Sequence, residues 1–494
     1  MTDKVTKPRA RKKREPKSTA VVPEDVSHQH ARPLEVRTPK QEPDDEASPV
    51  QAVSAPDHEL SLNSRTQSEV GDSVGAVRWQ YKLPILYQPS KIQAEALDIA
   101  FISHFVDRNQ GVRSFSPGIP WITHLPVLHT RATKLPLTLS IRAASMAFYA
   151  KVHQDPTIMV DSYKWYTMSL HSQRMSLSRL LVNSVPEDEE VLVPIILAMY
   201  EVYAGTTSTS VFQHLTAATK ILEMRGPVNC GSGVSFPLFR AMRVSDSHKS
   251  MVYNHPSVFS TPDWMELPFQ TQARNAHMCL VDILLVIPDR MRECELEGKM
   301  SSSFSKPIPP HVDLVSVRER TLQLLSDVDA WAKRYPHLTS TPNGPQYVTE
   351  DMGTILDDIG LPQNPSVIML SEGFIALTAA TYEAIRLILS MLLYKITSSP
   401  SSPADSTDSH QSTRSRLPSF VANSITFSKS VLDISAYIES THPVGFDFMR
   451  SVFPLVVVAI LGPLEEEQKA ASRMLKRWGE MNGMKGLTAA WLHI

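Results

Sequence analysis

Two neighbouring segments, at residues 186–203 and 208–225, dominate the pattern of hydrophobic and polar positions along the chain. The first opens with four acidic residues at 187–190 and is then apolar around almost its whole circumference, which predicts a buried helix. Ser184 is its predicted N-cap, with Glu187 completing a capping box. The acidic residues suit the positive end of the helix dipole, and Pro194 predicts a kink.

The second segment is amphipathic and predicts a helix that packs against the first. Phe212, Leu215, Thr219 and Leu222 recur at helical spacing and therefore lie on one face. Gly226 followed by Pro227 predicts the end of this helix, with the glycine in a left-handed conformation. The two segments together predict a helical hairpin at the centre of the protein, with Met199 and Leu222 buried in its core.

Apolar residues with helical spacing predict further helices both before and after the hairpin. The predicted helices cover residues 92–106, 139–152, 157–182, 236–251, 273–295, 314–335, 367–397, 420–440, 446–461 and 464–482. Residues 112–128, rich in Pro and Gly, predict an extended connection that places Trp121 against the core. Since no sustained alternating pattern supports a sheet, we expect an all-α fold.

Two parts of the chain depart from this helical pattern. Residues 1–78 contain few large apolar side chains and many Pro, Ser, Glu and Lys, a composition that predicts a disordered tail. The helical domain should then occupy residues 79–494. Within it, residues 398–416 form a low-complexity Ser/Pro-rich segment, which predicts an insertion between two helices.

The tail carries a strongly basic run that is a candidate for nuclear import or phosphate contact. Its basic residues are Lys7, Arg9, Arg11, Lys12, Lys13, Arg14 and Lys17. The alternative is a basic tail that only keeps the chain solvated and has no binding role. We expect import into the nucleus through this run.

The composition of the chain argues against several classes of protein. The 494 residues include 49 basic and 51 acidic side chains, and this near balance gives no overall attraction to nucleic acid or membranes. Three cysteines argue against a disulfide framework. No signal peptide is evident, and the apolar runs at 278–288 and 453–463 are shorter than the roughly 20 residues of a membrane span. We expect a soluble intracellular protein that has no contact with membranes.

No motif in the sequence predicts enzymatic chemistry. Phosphate-binding and dinucleotide-binding loops are missing, and the glycine spacing around Ser232 does not fit a nucleophile elbow. The acidic residues at 187–190 are explained by helix-terminus electrostatics rather than acid–base catalysis. The pairs His124/His129 and His28/His30 lack neighbouring ligands at metal-binding spacing. We therefore predict a protein that is not an enzyme.

Three aromatic residues, Tyr163, Trp165 and Tyr166, lie close together in the helix predicted at 157–182. Their helical spacing favours a place in the core. The alternative is a ligand pocket between helices, since helical bundles commonly bind small molecules there. Cys279 falls in an apolar helix and is predicted to be a small core residue.

The hairpin contains the segments MYEVY at 199–203, HLTAA at 214–218 and ILEMRGP at 221–227. In these segments the chain resembles the regulatory domain of fungal-specific transcription factors. Further features lie in the same order on either side. They are AASMA at 143–147, YKWYT at 163–167, Phe239-Arg240, Asp263-Trp264, Phe269, and WGEMNGM at 478–484. Together they cover roughly residue 91 to the C-terminus.

This resemblance implies a nuclear regulator of RNA polymerase II transcription whose helical domain controls activity or mediates homodimerisation. Its implied partners are DNA and the transcription machinery or co-regulators. The alternative is a helical ligand-sensing or scaffold protein that does not bind DNA directly.

Members of the family usually carry an N-terminal binuclear zinc cluster, from which this chain departs. Such a cluster needs six closely spaced cysteines, whereas Cys230, Cys279 and Cys294 are few and far apart. We therefore expect no cofactor in this chain, and zinc only if a cysteine-rich exon lies upstream. The cluster has either been lost or is encoded before Met1.

Overall fold

A computed structural model describes most of the chain after residue 90. The described residues are 91–110, 120–179, 184–342, 346–348, 368–399, 410–481 and 484–492. The predicted tail at residues 1–78, with its basic run from Lys7 to Lys17 and His28/His30, lies outside them. So do residues 79–90, the first part of the predicted helical domain.

The first half of the described chain is a series of helices joined by short connections. These are α1 (Lys91–Gln110), a 3₁₀ helix (Pro120–His124), α2 (Leu125–Arg131), α3 (Leu135–Val152), α4 (Pro156–Ser178), α5 (Asp188–Ala204), α6 (Ser210–Arg225), a 3₁₀ turn (Val228–Cys230) and α7 (Ser235–Tyr253).

The second half continues in the same way, apart from one pair of very short strands. Its elements are a 3₁₀ turn (Val258–Ser260), α8 (Pro262–Glu266), a 3₁₀ turn (Leu267–Phe269), α9 (Ala276–Glu293), α10 (Met300–Ser305), α11 (Leu314–Arg334), a 3₁₀ turn (Pro336–Leu338), β1 (Gln346–Val348), β2 (Ile368–Leu370), α12 (Glu372–Ser398), α13 (His410–Thr441), α14 (Phe446–Arg450), α15 (Val452–Leu461), α16 (Glu465–Met481) and α17 (Lys485–Leu492).

The predicted all-α class is confirmed. The strands β1 and β2 pair antiparallel, with Tyr347 opposite Met369. This three-residue ladder is too short to show as an alternating pattern in the sequence.

Four predicted elements differ from the observed ones. The helix predicted at 367–397 begins at Glu372 as α12, because residues 368–370 pair with β1 as β2. Trp121 is buried as predicted, but residues 120–131 form helical turns rather than an extended connection. The segment predicted as a helix at 446–461 is divided at Ser451 into α14 and α15. The helix α13 begins at His410, inside the predicted insertion, while residues 400–409 lie outside the described part.

The predicted hairpin is present as α5 and α6. Its first N-cap is Glu187 rather than Ser184, and the Glu187 N–H donates to the Glu190 carboxylate at 2.8 Å. Gly205 ends α5 in a left-handed conformation, with φ of +60°. Gly226 ends α6 with φ of +81°, which L side chains rarely adopt.

The hairpin is central to the core, as the sequence predicts. Met199 is 4% exposed and Leu222 is wholly buried, which confirms the burial expected of both. The helix α5 packs against α3 and α6, and the C-terminal helix α17 packs across both members of the hairpin.

One helix, α12, is long and apolar enough to cross a membrane if length and composition alone are considered. The sequence-based expectation of no membrane span was drawn from the shorter apolar runs at 278–288 and 453–463, which lie outside this helix. Its most apolar 18 residues are 89% buried inside the protein, where α12 packs against α11, α13 and α15. A core helix of a large helical domain passes the same test.

Candidate functional site

A cavity of about 110 Å³, partly open to solvent, lies where the hairpin meets α7, α14, α15 and α17. Apolar side chains form most of its wall, together with three polar ones. The lining residues are Trp121, Ile195, Ala198, Met199, Val202, Val211, Phe212, Leu215, Ala241, Met242, Ser245, His248, Phe446, Met449, Arg450, Phe453, Leu487 and Trp491.

The hairpin contributes one wall of this cavity through residues one or two helical turns apart. Met199 and Val202 come from α5, and Leu215 comes from α6. Pro194 lies inside α5 one turn before Ala198. The helical spacing that predicts the core therefore also builds the cavity wall.

Aromatic rings fix part of the wall, while methionines leave another part adaptable. Phe212 and Trp491 meet edge to face with ring centroids 4.8 Å apart, and Trp121 meets Phe446 in the same way at 5.7 Å. The thioether of a residue such as Met449 is flexible, so it can adjust to the shape of a small ligand.

Arg450 is the one side chain in the cavity wall that carries a permanent charge. It ends α14, one turn after Asp447, and no described residue accepts a hydrogen bond from its guanidinium. Burial lowers the pKa of Arg450, and the negative charge of Asp447 opposes that shift. A guanidinium remains protonated under these conditions.

Two histidines accompany Arg450, and both are neutral at physiological pH. The ring of His248 stacks on Phe453, with centroids 4.1 Å apart and planes within 5°. Burial first, and then the nearby His277 and Arg450, hold the pKa of His248 well below its usual value. Burial lowers the pKa of His277 to about 3.

Neither histidine has its hydrogen-bonding capacity filled within the described part of the chain. The Nε2 atom of His248 and both ring nitrogens of His277 are buried without a partner there. His277 lies just outside the cavity wall, with its ring 6.1 Å from that of Phe374. The neutral rings therefore offer polarity beside Arg450 but no compensating charge.

The aromatic trio expected in the core does not line this cavity. Tyr166 is buried, stacks on Tyr200 at 4.3 Å and hydrogen-bonds His214 Nε2 at 3.0 Å. Trp165 is half-buried, with the Arg142 guanidinium 4.4 Å from its ring centroid. Tyr163 is 40% exposed, so its predicted core position was wrong.

Each acidic residue at the start of α5 has structural partners. Asp188 pairs with Arg225 at 2.9 Å. The Glu189 carboxylate accepts from the Thr133 N–H and hydroxyl and from the Lys134 N–H, at 2.8–3.1 Å. Glu190 is 1% exposed and accepts from the Ser176 hydroxyl at 3.1 Å. These contacts join α5 to α3, α4 and α6.

Nothing in the described ranges brings three potential metal ligands together, and His124 and His129 form no such group. Burial raises the pKa of Cys230 and Cys294 to about 12, so these thiols are poor nucleophiles. Burial raises the pKa of the half-buried Cys279 as well.

Sequence reasoning missed Arg450 and His248 as candidate residues. An arginine between Met449 and the apolar run at 452–461 is a weak signal that would have identified Arg450. His248 gives no such signal, because its position in the cavity depends on packing between distant helices.

Comparison with protein-family models, characterised proteins and solved structures finds no match to this chain. The resemblance to fungal-specific transcription factors therefore rests on the sequence features given above.

Proposed function

We propose that this protein is a nuclear regulator of RNA polymerase II transcription, of the fungal-specific transcription factor type, whose helical domain responds to a small molecule. The proposal is supported by one observation: in the hairpin, the segments that resemble the family also line the cavity. The segments that resemble the family, at 199–203 and 214–218, supply Met199, Val202 and Leu215 to the cavity wall.

The basic run from Lys7 to Lys17 supports the nuclear part of the proposal. Without a zinc cluster, this run is the element by which the chain would contact DNA. Such contacts would be with phosphates, independent of base sequence and strongly weakened by salt. Sequence-specific recruitment would then depend on co-regulators.

A second candidate function is a ligand-sensing adaptor that never contacts DNA. The cavity with its charged Arg450 favours this alternative as much as the first, because both need a ligand site. The two candidates differ only in what the occupied domain acts on.

A tethered reporter tests the regulatory role. The full chain would be fused to a heterologous DNA-binding domain and assayed on a promoter that carries the matching sites. We expect a change in transcription compared with the DNA-binding domain alone. An unchanged reporter, with the fusion present in the nucleus, would contradict the proposal and favour the adaptor.

Nuclear import is tested separately with the unfused protein. We expect the triple change Lys12→Ala, Lys13→Ala and Arg14→Ala to reduce nuclear accumulation of a fluorescent full-length chain. Replacing Lys4 alone, outside the basic run, provides the control. Unchanged accumulation of the triple variant would show that another segment directs import.

A further inference from the structure

The charge of Arg450 has a counter-charge in Asp447, one turn earlier in α14, so what the cavity offers a ligand is the set of hydrogen-bond donors on the guanidinium. Arg450 contributes a permanent positive charge, and the neutral His248 and His277 contribute none. Asp447, 7% exposed, is the carboxylate whose charge acts on Arg450. The guanidinium presents a planar fork of donors, and no described residue accepts a hydrogen bond from it. A carboxylate matches that fork with two parallel hydrogen bonds.

The size of the cavity limits which molecules that carry a carboxylate could fit inside it. A dry cavity of about 150 Å³ accommodates benzene, so the smaller volume of about 110 Å³ suits a short branched chain and takes a ring only after side chains of the wall move. Met199, Met242 and Met449 can provide those adjustments. Nucleotides and long-chain lipids are too large for this volume.

The few polar side chains of the cavity wall limit how many polar groups the ligand can carry besides its carboxylate. Away from Arg450, the polar groups that line the cavity are few, and the Ser245 hydroxyl already donates to the Ala241 carbonyl at 3.2 Å. A sugar acid would bury several hydroxyls without partners, which is unfavourable. A doubly charged phosphate would place a second negative charge beside two neutral imidazoles. A monoanion with an apolar body buries fewer unpartnered polar groups than a sugar acid and one negative charge fewer than the phosphate.

We propose that the cavity binds a small organic monocarboxylate with a compact apolar body, whose carboxylate pairs with Arg450. This inference gives the ligand class for the regulatory role proposed above, and it rests on that role for its biological meaning. The apolar body would lie among the aromatic and methionine side chains, including Phe212, Met449 and Trp491.

Direct binding to the purified full chain tests the proposal. Benzoate and 3-methylbutanoate would be titrated by calorimetry at pH 7, with benzamide and 3-methylbutanamide as neutral analogues of the same shape. We expect both carboxylates to bind and to raise the melting temperature. The amides should bind about 10- to 100-fold more weakly, because they cannot form the charged pair.

Two variants locate the pairing at Arg450. Arg450→Lys keeps the charge beside Asp447 but removes the planar fork, and it should weaken benzoate binding about tenfold. The double change Asp447→Asn and Arg450→Met keeps the net charge of the protein and should abolish the preference for the carboxylate. Arg473→Met, at an exposed position of α16, is the matched control and should bind as the wild type does.

A third variant tests the location of the apolar body. Ala198→Phe would fill the cavity from α5 while it leaves Arg450 in place. It should reduce the binding of carboxylates and amides alike.

Several outcomes would overturn the inference. Equal affinity for benzoate and benzamide would show that no charged pair forms. Unchanged benzoate affinity in both folded Arg450 variants would place the site elsewhere. An absence of binding by the folded wild type up to about 10 mM would exclude this ligand class.

The reporter separates this inference from the proposed function. If binding is absent while the tethered protein still regulates transcription, only the ligand class is wrong. If binding occurs through Arg450 and the reporter stays unchanged, the ligand class stands and the transcriptional role fails.

Discussion

Gly486 lies directly against the backbone carbonyl of Glu201, so that a side chain at position 486 would overlap that oxygen. The same side chain would come within 3.0 Å of the Cα atom of Gly205. This glycine contact lets α17 dock on the C-terminal end of α5. It thereby places Leu487 and Trp491 in the cavity wall.

We predict that Gly486→Ala displaces α17. Since the contact is with backbone rather than with a flexible side chain, the change should cost about 1–3 kcal/mol in the free energy of unfolding. It should also weaken benzoate binding, because Leu487 and Trp491 move with the helix. Urea denaturation and calorimetry measure the two effects.

Lys485→Ala, at the exposed neighbouring position, is the control. Wild-type values for both quantities in Gly486→Ala would show that α17 docks in another way.

Glu189 has a larger structural role than its position in the first turn of α5 suggests. Its carboxylate accepts three hydrogen bonds from Thr133 and Lys134, just before α3. We predict that Glu189→Ala destabilises the protein by about 1–3 kcal/mol, because the two N–H donors lose a charged acceptor. The more conservative Glu189→Gln should cost less, since one oxygen remains. Thermal and urea melts would measure both changes.

Glu223→Ala provides the comparison for Glu189. Glu223 is an exposed residue of α6 that pairs with Lys220 one turn away, and such pairs contribute about 0–1 kcal/mol. Equal effects at the two positions would mean that the bonds to Thr133 and Lys134 contribute nothing to stability.

Substitutions of Met199 and Leu222 test how much the buried part of the hairpin contributes to stability. We expect Leu222→Ala to destabilise the protein by about 2–5 kcal/mol, through lost burial and the cavity that remains. Met199→Ala should also destabilise, and it should enlarge the existing cavity, so that ligands bulkier than benzoate bind better than they do to wild type. Met224→Ala in α6 is the control, because Met224 is 60% exposed. If Leu222→Ala unfolds as Met224→Ala does, the hairpin is not central to stability.

We predict that the folded protein loses stability in acid, because His277 is buried in its neutral form. Its pKa of about 3 in the folded protein lies below the usual value of 6.5, so the unfolded chain binds the proton more readily. Stability is therefore complete above pH 6.5 and is lost as pH falls from 6.5 towards 3, by about 1.4 kcal/mol per pH unit for one such group. His248 contributes in the same direction.

The variant His277→Phe should flatten this decline. Urea melts at pH 7, 6 and 5 would measure it against the wild type. His311→Phe, at a side chain that is 68% exposed, controls for the loss of an imidazole at the surface. A wild-type slope in His277→Phe would show that this histidine does not titrate with unfolding.

The sequence by itself determined the helices and the central hairpin. Residues 314–334 and 188–204 could be assigned within a few positions, because helical spacing acts between neighbours in the chain. The second of these helices also has an acidic first turn and a terminal glycine. The burial of Met199 and Leu222 followed from the same local pattern. The exposure of Tyr163 did not, since which face of α4 meets the core depends on where α3 and α5 pack.

Only the tertiary structure decided the candidate site. The cavity forms where residues from 121 to 491 meet, and no local pattern records that Arg450 lies with His248, or that Gly486 lies against Glu201. The partners of Glu189 were equally hidden, because Thr133 and Lys134, which donate hydrogen bonds to it, lie more than fifty residues earlier in the chain. Helix formation is governed by interactions across three or four residues, whereas a cavity, a buried charge and a backbone contact between helices exist only after distant segments pack.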